Sequence, residues 1–493
     1  MSDQAQPIQA RGNFINGAFA PPPSPEGEVV SLDPYLDQEV GRVHWSTLGV
    51  AAATDAARAA QAAWQARPLT ERIAAVRAIA PVLEKHKERL AQTISREMGK
   101  PVWEARTEVA AAIGKVEISA TAGLELVAEH KLADGSSYAF KPHGVLAVLG
   151  PFNFPLHLMH GHVMPALLLG NTVVLKPSEH APFTGQIYAE ILAEAGLPPG
   201  VFNLVQGAVE VGAALAAHPE VNGVLFTGSY RAGLAIQKAT LEQPGKLLAL
   251  EMGGKNPAVL LGDAPLDKAL YDIAWGAYVT SGQRCSGTAL CLVERSLLGT
   301  VRERLSKMLG GIRIGNPREE VFMGPLAFAA ARQSFEDALN DARSSGARLV
   351  AKSPCPDGSA LAAASLHEVD HFDVANAYLR EELFGPDLTL VPVDDLEHAV
   401  SVANSLPYGL ATSVFTADAD RFEWARARLE YGCINHNAPT CGASSKLPFG
   451  GVKQSGNHRP AALWSSLYCA YPVATLRGGA TLDPTKRSPG LDW

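Results

Sequence analysis

The sequence predicts an α/β fold that contains a doubly wound parallel sheet. Short apolar segments at 145–150, 172–175, 202–205 and 223–227 alternate with helical segments. Such alternation is typical of a parallel sheet covered by helices. The chain is also 493 residues long, which is too long for one ordinary hydrophobic core. Two large domains with small additional elements are therefore expected.

The other segments follow from periodicity and from the positions of glycine and proline. Apolar residues recur with helical spacing in three segments, 49–65, 69–98 and 102–127. Pro81 lies inside the second segment, which Gly99 and Pro101 terminate. We predict a short strand and turn at 12–20, an exposed loop at 353–365, and an extended tail over about the last 15 residues. The α/β pattern resumes at 258–261, 289–293, 388–393 and 411–415.

Composition and charge exclude several classes of protein. The chain carries 42 basic and 50 acidic residues, a formal charge of −8, without a block of like charge. Nucleic-acid-binding proteins normally show a basic patch, so no nucleic-acid partner is expected. The segment 1–10 lacks the pattern of a signal peptide, and the apolar stretch 163–175 is too short to cross a bilayer. We therefore expect a cytoplasmic protein without a membrane partner.

The cysteines and histidines do not predict a metal site. The cysteines, at 285, 291, 355, 433, 441 and 469, form no CxxC pair and no zinc spacing. They are expected to be reduced thiols. The cluster of His157, His160 and His162 is not accompanied by acidic or cysteine ligands at matching spacing. These histidines are expected to form hydrogen bonds near a pocket.

Two residues are candidates for chemistry. Cys285 stands among small and polar residues in the segment 281–286, a setting in which a thiolate can act as a nucleophile. An inert, half-buried thiol is the alternative. Glu251 follows the apolar run 247–250 and precedes two glycines. A carboxylate at a strand end can act as a general base, and a solvated or helix-capping glutamate is the alternative.

Two turns are candidates for binding a nucleotide. The segment 226–229, followed by Gly233, predicts a strand, a tight turn and the start of a helix, where backbone N–H groups can bind a phosphate. It departs from the G-x-G-x-x-G pattern, so an ordinary strand-to-helix turn stays open. Lys176 and Glu179 follow another predicted strand and could bind a ribose. A solvated turn is the alternative there.

Seven motifs, in order and at the expected gaps, resemble the aldehyde dehydrogenase superfamily over about residues 12–475. A single such match would be weak, whereas seven in register are specific. The motifs are Gly150-Pro151-Phe152-Asn153-Phe154-Pro155, Lys176-Pro177-Ser178-Glu179, Phe226-Thr227-Gly228-Ser229, Glu251-Met252-Gly253-Gly254, Gly282-Gln283-Arg284-Cys285, Glu381-Glu382-Leu383-Phe384-Gly385-Pro386, and Pro448-Phe449-Gly450-Gly451 with Ser455-Gly456.

The resemblance implies a role for each matching residue. Cys285 corresponds to the nucleophile that attacks the aldehyde carbonyl. The side-chain amide of Asn153 and the N–H of Cys285 correspond to an oxyanion hole. Glu251 corresponds to the base that activates water to hydrolyse the thioester. The cofactor residues implied are Lys176 and Glu179 for the adenosine ribose, Gly228, Ser229 and Gly233 for the pyrophosphate, and Glu382 and Phe384 for the nicotinamide ribose and ring.

The resemblance also implies a cofactor, a domain arrangement and an assembly. NAD is the expected cofactor because Glu179 would repel a 2′-phosphate, although a rotation of its side chain leaves NADP possible. The implied parts are a dinucleotide-binding domain (1–123 and 142–253), an α/β catalytic domain (254–455) and a small bridging β element (124–141 and 456–493). Exposed edge strands favour pairing, so a homodimer or homotetramer is expected.

Further cues resemble one subfamily, which oxidises N-succinylglutamate 5-semialdehyde to N-succinylglutamate in arginine degradation. The most specific cue is Gly456-Asn457-His458-Arg459-Pro460. The chain departs from the subfamily pattern at 156–160, Lys255, 286–290 and 435–441. Several departures fall near the expected substrate tunnel. Loss of cationic side chains there would weaken recognition of a dicarboxylate, so a less charged aliphatic or aromatic aldehyde stays open as the substrate.

The candidate residues bear on two alternative functions. An acylating dehydrogenase would pass the thioester to coenzyme A, but this transfer does not need a base such as Glu251. A former enzyme retained as a binding or structural protein has no physical need for Cys285, Glu251, Asn153 and Glu382 together. Both are therefore disfavoured against hydrolytic oxidation of an aldehyde.

Overall fold

A computed structural model describes residues 6–344, 346–478, 480–481 and 488–491. The tail expected over about the last 15 residues lies largely outside the described residues. Within the described part, most strands belong to two seven-stranded sheets. No helix in that part is long and apolar enough to cross a membrane.

The first sheet confirms the parallel arrangement predicted from the alternating segments. Its first five strands are parallel, and the last two form an antiparallel hairpin at one edge. The hairpin lies where a short strand and turn were predicted. In spatial order the strands are Leu247–Glu251, Gly223–Thr227, Val145–Leu149, Thr172–Lys176, Phe202–Leu204, Asn13–Ile15 and Ala18–Ala20.

Helices cover both faces of this sheet, as a doubly wound fold requires. Alternate residues of the strand Val145–Leu149 enter different cores: Leu146 and Val148 belong to one hydrophobic cluster, Val145 and Ala147 to another. A strand buried on both faces reads as a continuous apolar run, which explains the sequence signal. The helices around this sheet are Leu48–Ala66, Leu69–Arg77, Ile79–Lys85, Lys87–Met98, Val102–Ala120, Ala122–Glu125, His157–Leu168, Pro182–Glu194, Val209–Ala217 and Tyr230–Ala239.

One predicted helix is wrong in its continuity. The segment 69–98 folds as three short helices, with breaks at Ala78 and His86. Pro81 lies in the first turn of the middle helix, where its missing N–H is tolerated; inside a continuous helix its ring would clash with the carbonyl of residue 77. Gly99 ends the third helix with a left-handed φ of 68°, as predicted.

The second sheet has one antiparallel pair at an edge and is otherwise parallel. Its strands, in spatial order, are Arg348–Lys352, Ser365–Glu368, Asp387–Val393, Thr288–Glu294, Asn256–Leu260, Ala411–Phe415 and Cys433–His436. Around it lie the helices Leu266–Tyr278, Leu298–Gly310, Ala329–Ser344, Ala377–Arg380, Leu396–Ser405 and Ala419–Arg426. The loop predicted to be exposed at 353–365 is partly buried, because Leu361 and Ala362 pack into the hydrophobic cores.

Smaller antiparallel elements complete the chain. A three-stranded sheet orders Ala470–Thr475, Ser137–Pro142 and His130–Lys131, and thus joins two distant parts of the sequence. The other elements are the hairpin Gly27–Asp33 with Gln38–Trp45, the pairs Tyr408–Gly409 with Val452–Lys453 and Pro448–Phe449 with Ala461–Ala462, and the helix Ser465–Tyr468. The domain limits given above stay predictions.

The strand Leu247–Glu251 lies at the edge of the first sheet, and the segment 455–457 covers it. Asn457 accepts a hydrogen bond from the N–H of Leu250 (3.0 Å) and donates one to the carbonyl of Leu248 (2.8 Å). The N–H of Met252 donates to the carbonyl of Ser455 (2.9 Å). The Asn457 side chain thereby takes the place of a neighbouring strand.

We expect Asn457→Ala to lower the thermal unfolding midpoint, because a part-buried N–H and carbonyl lose their partner. The free energy of unfolding should fall by about 1–3 kcal/mol. Arg459→Ala, at an exposed position in the same segment, is the control and should leave the midpoint nearly unchanged. Equal midpoints for both variants would show that Asn457 does not stabilise the edge strand.

Candidate active site

The carboxyl ends of four neighbouring parallel strands meet at one edge of the first sheet. In the pairing register, Lys176 lies beside Leu149, Leu149 beside Phe226, and Thr227 beside Glu251. The loops that follow these strands carry Asn153, Glu179 and Ser229. In open α/β sheets, ligands bind outside this edge. The fold therefore brings most of the residues predicted for the site to one place.

Cys285 belongs to the second sheet's side of the site, in the loop before the strand Thr288–Glu294. The turn that leads to it is strained: Thr280, Ser281 and Gly282 have consecutive left-handed φ values of 57°, 53° and 72°. At Gly282 a Cβ atom would lie 2.2 Å from the carbonyl oxygen of Gly385, so only glycine fits. Strain of this kind persists where the surrounding structure fixes it and is common at functional sites.

Asparagine side chains fix the Cys285 loop on two sides. Nδ2 of Asn256 donates to the carbonyl of Cys285 (2.7 Å) and to that of Gly287 (3.0 Å). The buried Asn153 donates through Nδ2 to the carbonyl of Gln283 (2.9 Å), two residues before the thiol. An amide group carries two N–H donors. Asn153 therefore keeps one N–H that a neighbouring oxyanion could use.

Cys285 and Glu251 line the same cavity of about 240 Å³. The Glu251 carboxylate is 4% exposed and accepts a hydrogen bond from the N–H of Gly451. Its Oε2 atom has no hydrogen-bond partner among the described residues. Burial raises the pKa of Glu251 well above its usual value. A carboxylate in this environment is a stronger base than an exposed one, and it has an oxygen free to accept a proton.

The Cys285 thiol is also strongly perturbed. Burial, together with the negative charges of Glu382 and Glu251, raises the pKa of Cys285 to about 12. The backbone N–H of Ser286 and the Arg284 guanidinium oppose this shift only in part. Without a further positive charge or a base that removes its proton, Cys285 is therefore a thiol at neutral pH.

Lys176 and Glu179 form an ion pair at the carboxyl edge, with Nζ and Oε2 2.9 Å apart. Lys176 is buried, whereas the Glu179 side chain is 38% exposed. Burial is the largest single influence and raises the pKa of Glu179, but the charge and the hydrogen bond of Lys176, together with smaller contributions from the Glu179 backbone N–H and His180, make the net shift downward. Glu179 is thus a carboxylate that can turn towards a ligand's hydroxyl groups.

The glycine turn leads into a helix whose first N–H groups face the same edge. Ser229 caps the helix Tyr230–Ala239, since its Oγ accepts a hydrogen bond from the N–H of Ala232 (3.2 Å). Gly233 packs against Met252, where a Cβ atom would lie 2.4 Å from the sulfur. Gly228 donates its N–H to the carbonyl of Glu251 (3.0 Å), which ties the turn to the strand end. An anion is stabilised at such a helix start.

Glu382 and Phe384 come from the second sheet's side. The Glu382 carboxylate accepts a hydrogen bond from the N–H of Gly254 (2.9 Å) and lies directly over Gly253, where a Cβ atom would be 2.0 Å from Oε2. Burial raises the pKa of Glu382 to about 7, against the N–H of Gly254 and the charge of Lys255. Phe384 has a left-handed φ of 52°.

Two of the three histidines form side-chain hydrogen bonds, as expected. Nδ1 of His160 lies 3.0 Å from the hydroxyl of Tyr188, and Nδ1 of His162 lies 2.7 Å from that of Tyr468. His157 instead lines the cavity, and its buried Nδ1 has no partner in the described part of the chain. Across the described ranges, no group of three or more His, Cys, Asp or Glu side chains could hold a metal ion.

The wall of the cavity was not predicted from the sequence. Thr107, Glu108, Ala111 and Lys115 line it from the helix Val102–Ala120. Their spacing places them on one helical face, but the same spacing also marks an ordinary buried face. Only the packing of this helix beside the Cys285 loop distinguishes the two. Lys255, noted as a departure, is buried and donates to the carbonyl of Tyr378 (2.8 Å).

Comparisons with known proteins identify the family. The chain belongs to the aldehyde dehydrogenase family, whose model matches residues 22–470. The members of this family are NAD(P)-dependent oxidoreductases. The chain is 41% identical, over 97% of its length and 99% of the relative, to an N-succinylglutamate 5-semialdehyde dehydrogenase of Serratia proteamaculans.

Solved structures show the same fold. Aldehyde dehydrogenase C from Pseudomonas syringae, a mutant in complex with NAD⁺ and octanal, has a TM-score of 0.90 at 32% identity, covering 96% of this chain and 98% of that one. The NADP-dependent glyceraldehyde-3-phosphate dehydrogenase from Bacillus halodurans, in complex with NADP, has a TM-score of 0.88 at 29% identity, covering 95% and 99%.

The raised pKa of Cys285 makes its reactivity in the ligand-free protein strongly pH-dependent. We expect the rate of alkylation of Cys285 by iodoacetamide to rise with pH up to at least pH 10, because the thiolate fraction increases towards a pKa of about 12. Cys285→Ser supplies the background from the other cysteines. A plateau reached near pH 8 would contradict the burial argument.

Proposed function

We propose that the protein oxidises an aldehyde to a carboxylate with NAD as the cofactor, through a thiohemiacetal and then a thioester on Cys285. We further propose N-succinyl-L-glutamate 5-semialdehyde as its substrate, in arginine catabolism. The observation that carries the chemistry is the shared cavity of Cys285 and Glu251. The substrate is supported by the 41% identity to the Serratia enzyme along nearly the whole of both chains.

The positions of the side chains support the proposed roles. The Cys285 thiol first gives its proton to water, and the thiolate then adds to the aldehyde carbonyl, whose oxygen becomes an oxyanion. The free N–H of Asn153 and the backbone N–H of Cys285 stabilise that oxyanion. A bound NAD would supply the hydride acceptor, so that loss of a hydride from the carbon of this adduct would leave a thioester on Cys285.

Glu251 then acts on the thioester. Its unpartnered Oε2 takes a proton from a water molecule, and the hydroxide formed attacks the thioester carbonyl. Collapse of the resulting adduct releases the carboxylic acid and regenerates the Cys285 thiolate. Burial makes Glu251 a suitable base for this step, because a raised pKa strengthens its hold on the proton.

The residues at the carboxyl edge fit a dinucleotide. The helix start at Ser229 and the turn at Gly228 can hold a pyrophosphate, with Gly233 allowing the close approach to Met252. Lys176 and Glu179 offer one cation and one carboxylate for ribose hydroxyl groups. Glu382 and Phe384 would position the nicotinamide riboside near Cys285.

We propose NAD as the preferred cofactor, with NADP accepted more weakly. The Glu179 carboxylate disfavours a 2′-phosphate through like charge. Its ion pair with Lys176 reduces that repulsion, and its exposure allows the side chain to turn away. The structural relatives support both cofactors, since one is a complex with NAD⁺ and another with NADP.

We propose a homodimer or homotetramer in the cytoplasm. The strand Ala470–Thr475 forms an edge of the three-stranded sheet and exposes Tyr471. Pairing with a second copy would satisfy such an edge. All six cysteines are free, which fits a reducing compartment.

The proposed reaction is tested by NAD(P)H formation with N-succinylglutamate 5-semialdehyde, hexanal and benzaldehyde, each offered with NAD and with NADP. We expect the highest kcat/KM for the succinylated semialdehyde with NAD. High activity restricted to an uncharged aldehyde would retain the mechanism and reject the proposed substrate.

Cys285→Ala should abolish turnover while NAD binding stays near normal, because the variant lacks the nucleophile. Turnover at the wild-type rate would reject the covalent mechanism.

Glu251→Gln separates the two halves of the reaction. Removal of the base should lower steady-state turnover about 10²- to 10⁴-fold, because the thioester is then hydrolysed slowly. A rapid burst of NADH, close to one per Cys285, should remain in stopped-flow measurements. Loss of the burst together with turnover would show that Glu251 is needed before the thioester forms.

A further inference from the structure

A lysine without a partner lines the cavity that holds Cys285. Lys115 is 2% exposed and lies on the helix Val102–Ala120. It borders the cavity, and no hydrogen bond or ion pair to its Nζ occurs among the residues that the structure describes. Its side chain passes Gly161 on the facing helix, where a Cβ atom would lie 3.8 Å from Cε of Lys115.

An unpaired buried ammonium group opposes folding. Taking a charge out of water costs several kcal/mol unless an opposite charge or hydrogen bonds compensate. Burial accordingly lowers the pKa of Lys115 to about 8, so the side chain is still largely protonated at pH 7. A group that destabilises the fold in this way, and that faces a cavity, is suited to an anionic ligand.

The other ionisable groups of the cavity do not neutralise Lys115. Glu108 is already bound by Lys100 (2.6 Å) and by the N–H groups of Leu156 and His157. Arg284 is paired with Glu104 (2.9 Å).

The histidines on the facing helix add no charge. Burial, with the positive charge of Lys115, lowers the pKa of His157 to about 4 and that of His162 to about 3. Glu251 carries a raised pKa and is reserved for the base in the proposed reaction. Among the described residues that line the cavity, Lys115 is therefore the one cation without a compensating negative charge.

We propose that Lys115 binds a carboxylate of the substrate, so that the cavity selects aldehydes that carry an anionic group away from the carbonyl. The inference rests on the proposed oxidation of an aldehyde at Cys285, but it does not depend on which anionic aldehyde is the natural one. The chain lacks cationic side chains of the subfamily pattern at 156–160 and 286–290. Lys115 provides a cation in the same cavity.

The test compares acids with uncharged aldehydes of similar shape. N-succinylglutamate 5-semialdehyde is paired with its dimethyl ester, and 5-oxopentanoate with pentanal. In Lys115→Met, the KM for each acid should rise at least about tenfold, which is the loss of one charge-assisted hydrogen bond. The kcat values, and the KM values for the ester and for pentanal, should stay within about twofold of wild type.

Stability distinguishes substrate binding from a structural role. Because Lys115 is an unpaired buried charge, Lys115→Met should unfold at the same temperature as wild type or higher. Lys115→Gln provides the same kinetic comparison if the methionine variant does not fold. Lys307→Met, at an exposed helical position, removes a lysine elsewhere and should change neither the KM values nor the unfolding temperature.

The outcomes separate this inference from the proposed function. A KM increase of the same factor for the acid and its uncharged partner, or no increase for either, overturns the role of Lys115. Lysine-dependent preference for 5-oxopentanoate, without turnover of the succinylated aldehyde, supports the role of Lys115 and rejects the proposed substrate. Failure of every aldehyde in the wild-type enzyme rejects the proposed oxidation itself.

Discussion

The site depends on the segment 450–457, which follows the last strand of the second sheet in the chain and covers the edge of the first sheet. Glu251 forms a β-bridge with Gly456, and its carboxylate receives the N–H of Gly451. The Asn457 side chain forms hydrogen bonds with the backbone of the strand that ends at Glu251. Glu251 belongs to the first sheet, whereas Cys285 precedes a strand of the second. The connection through 450–457 helps to hold these two parts of the chain around one cavity.

A second consequence of this arrangement is electrostatic. The thiol of Cys285 and the carboxyl groups of Glu251 and Glu382 lie close together in a poorly hydrated region, and each pKa is raised by burial. Negative charge is therefore disfavoured at all three groups in the ligand-free protein. A site of this kind favours ligands that bring positive charge near the thiol. Lys115 differs from these three groups, since it is a buried cation to which an anionic ligand could bind.

Much of the fold could be predicted from the sequence, because buried parallel strands read as apolar runs between glycine and proline turns. The strands at 145–149, 223–227 and 411–415 are within one residue of their predicted limits. The errors have a tertiary origin. Three helices replace one around Pro81, and half of the loop at 353–365 is buried because Leu361 and Ala362 cover the cores beside it. Composition alone does not show which surface such a loop will contact.

The sequence by itself determined the family and supplied the residues proposed for its chemistry, because glycine turns and reactive groups are encoded in short contiguous motifs. The tertiary structure decided what surrounds them. It placed Lys115, Glu108 and His157 on the walls of one cavity, and among the described residues it left the Lys115 ammonium group without a negative partner. Partnership between side chains that are distant in sequence depends on how helices pack, and a single sequence carries no local signal for that packing.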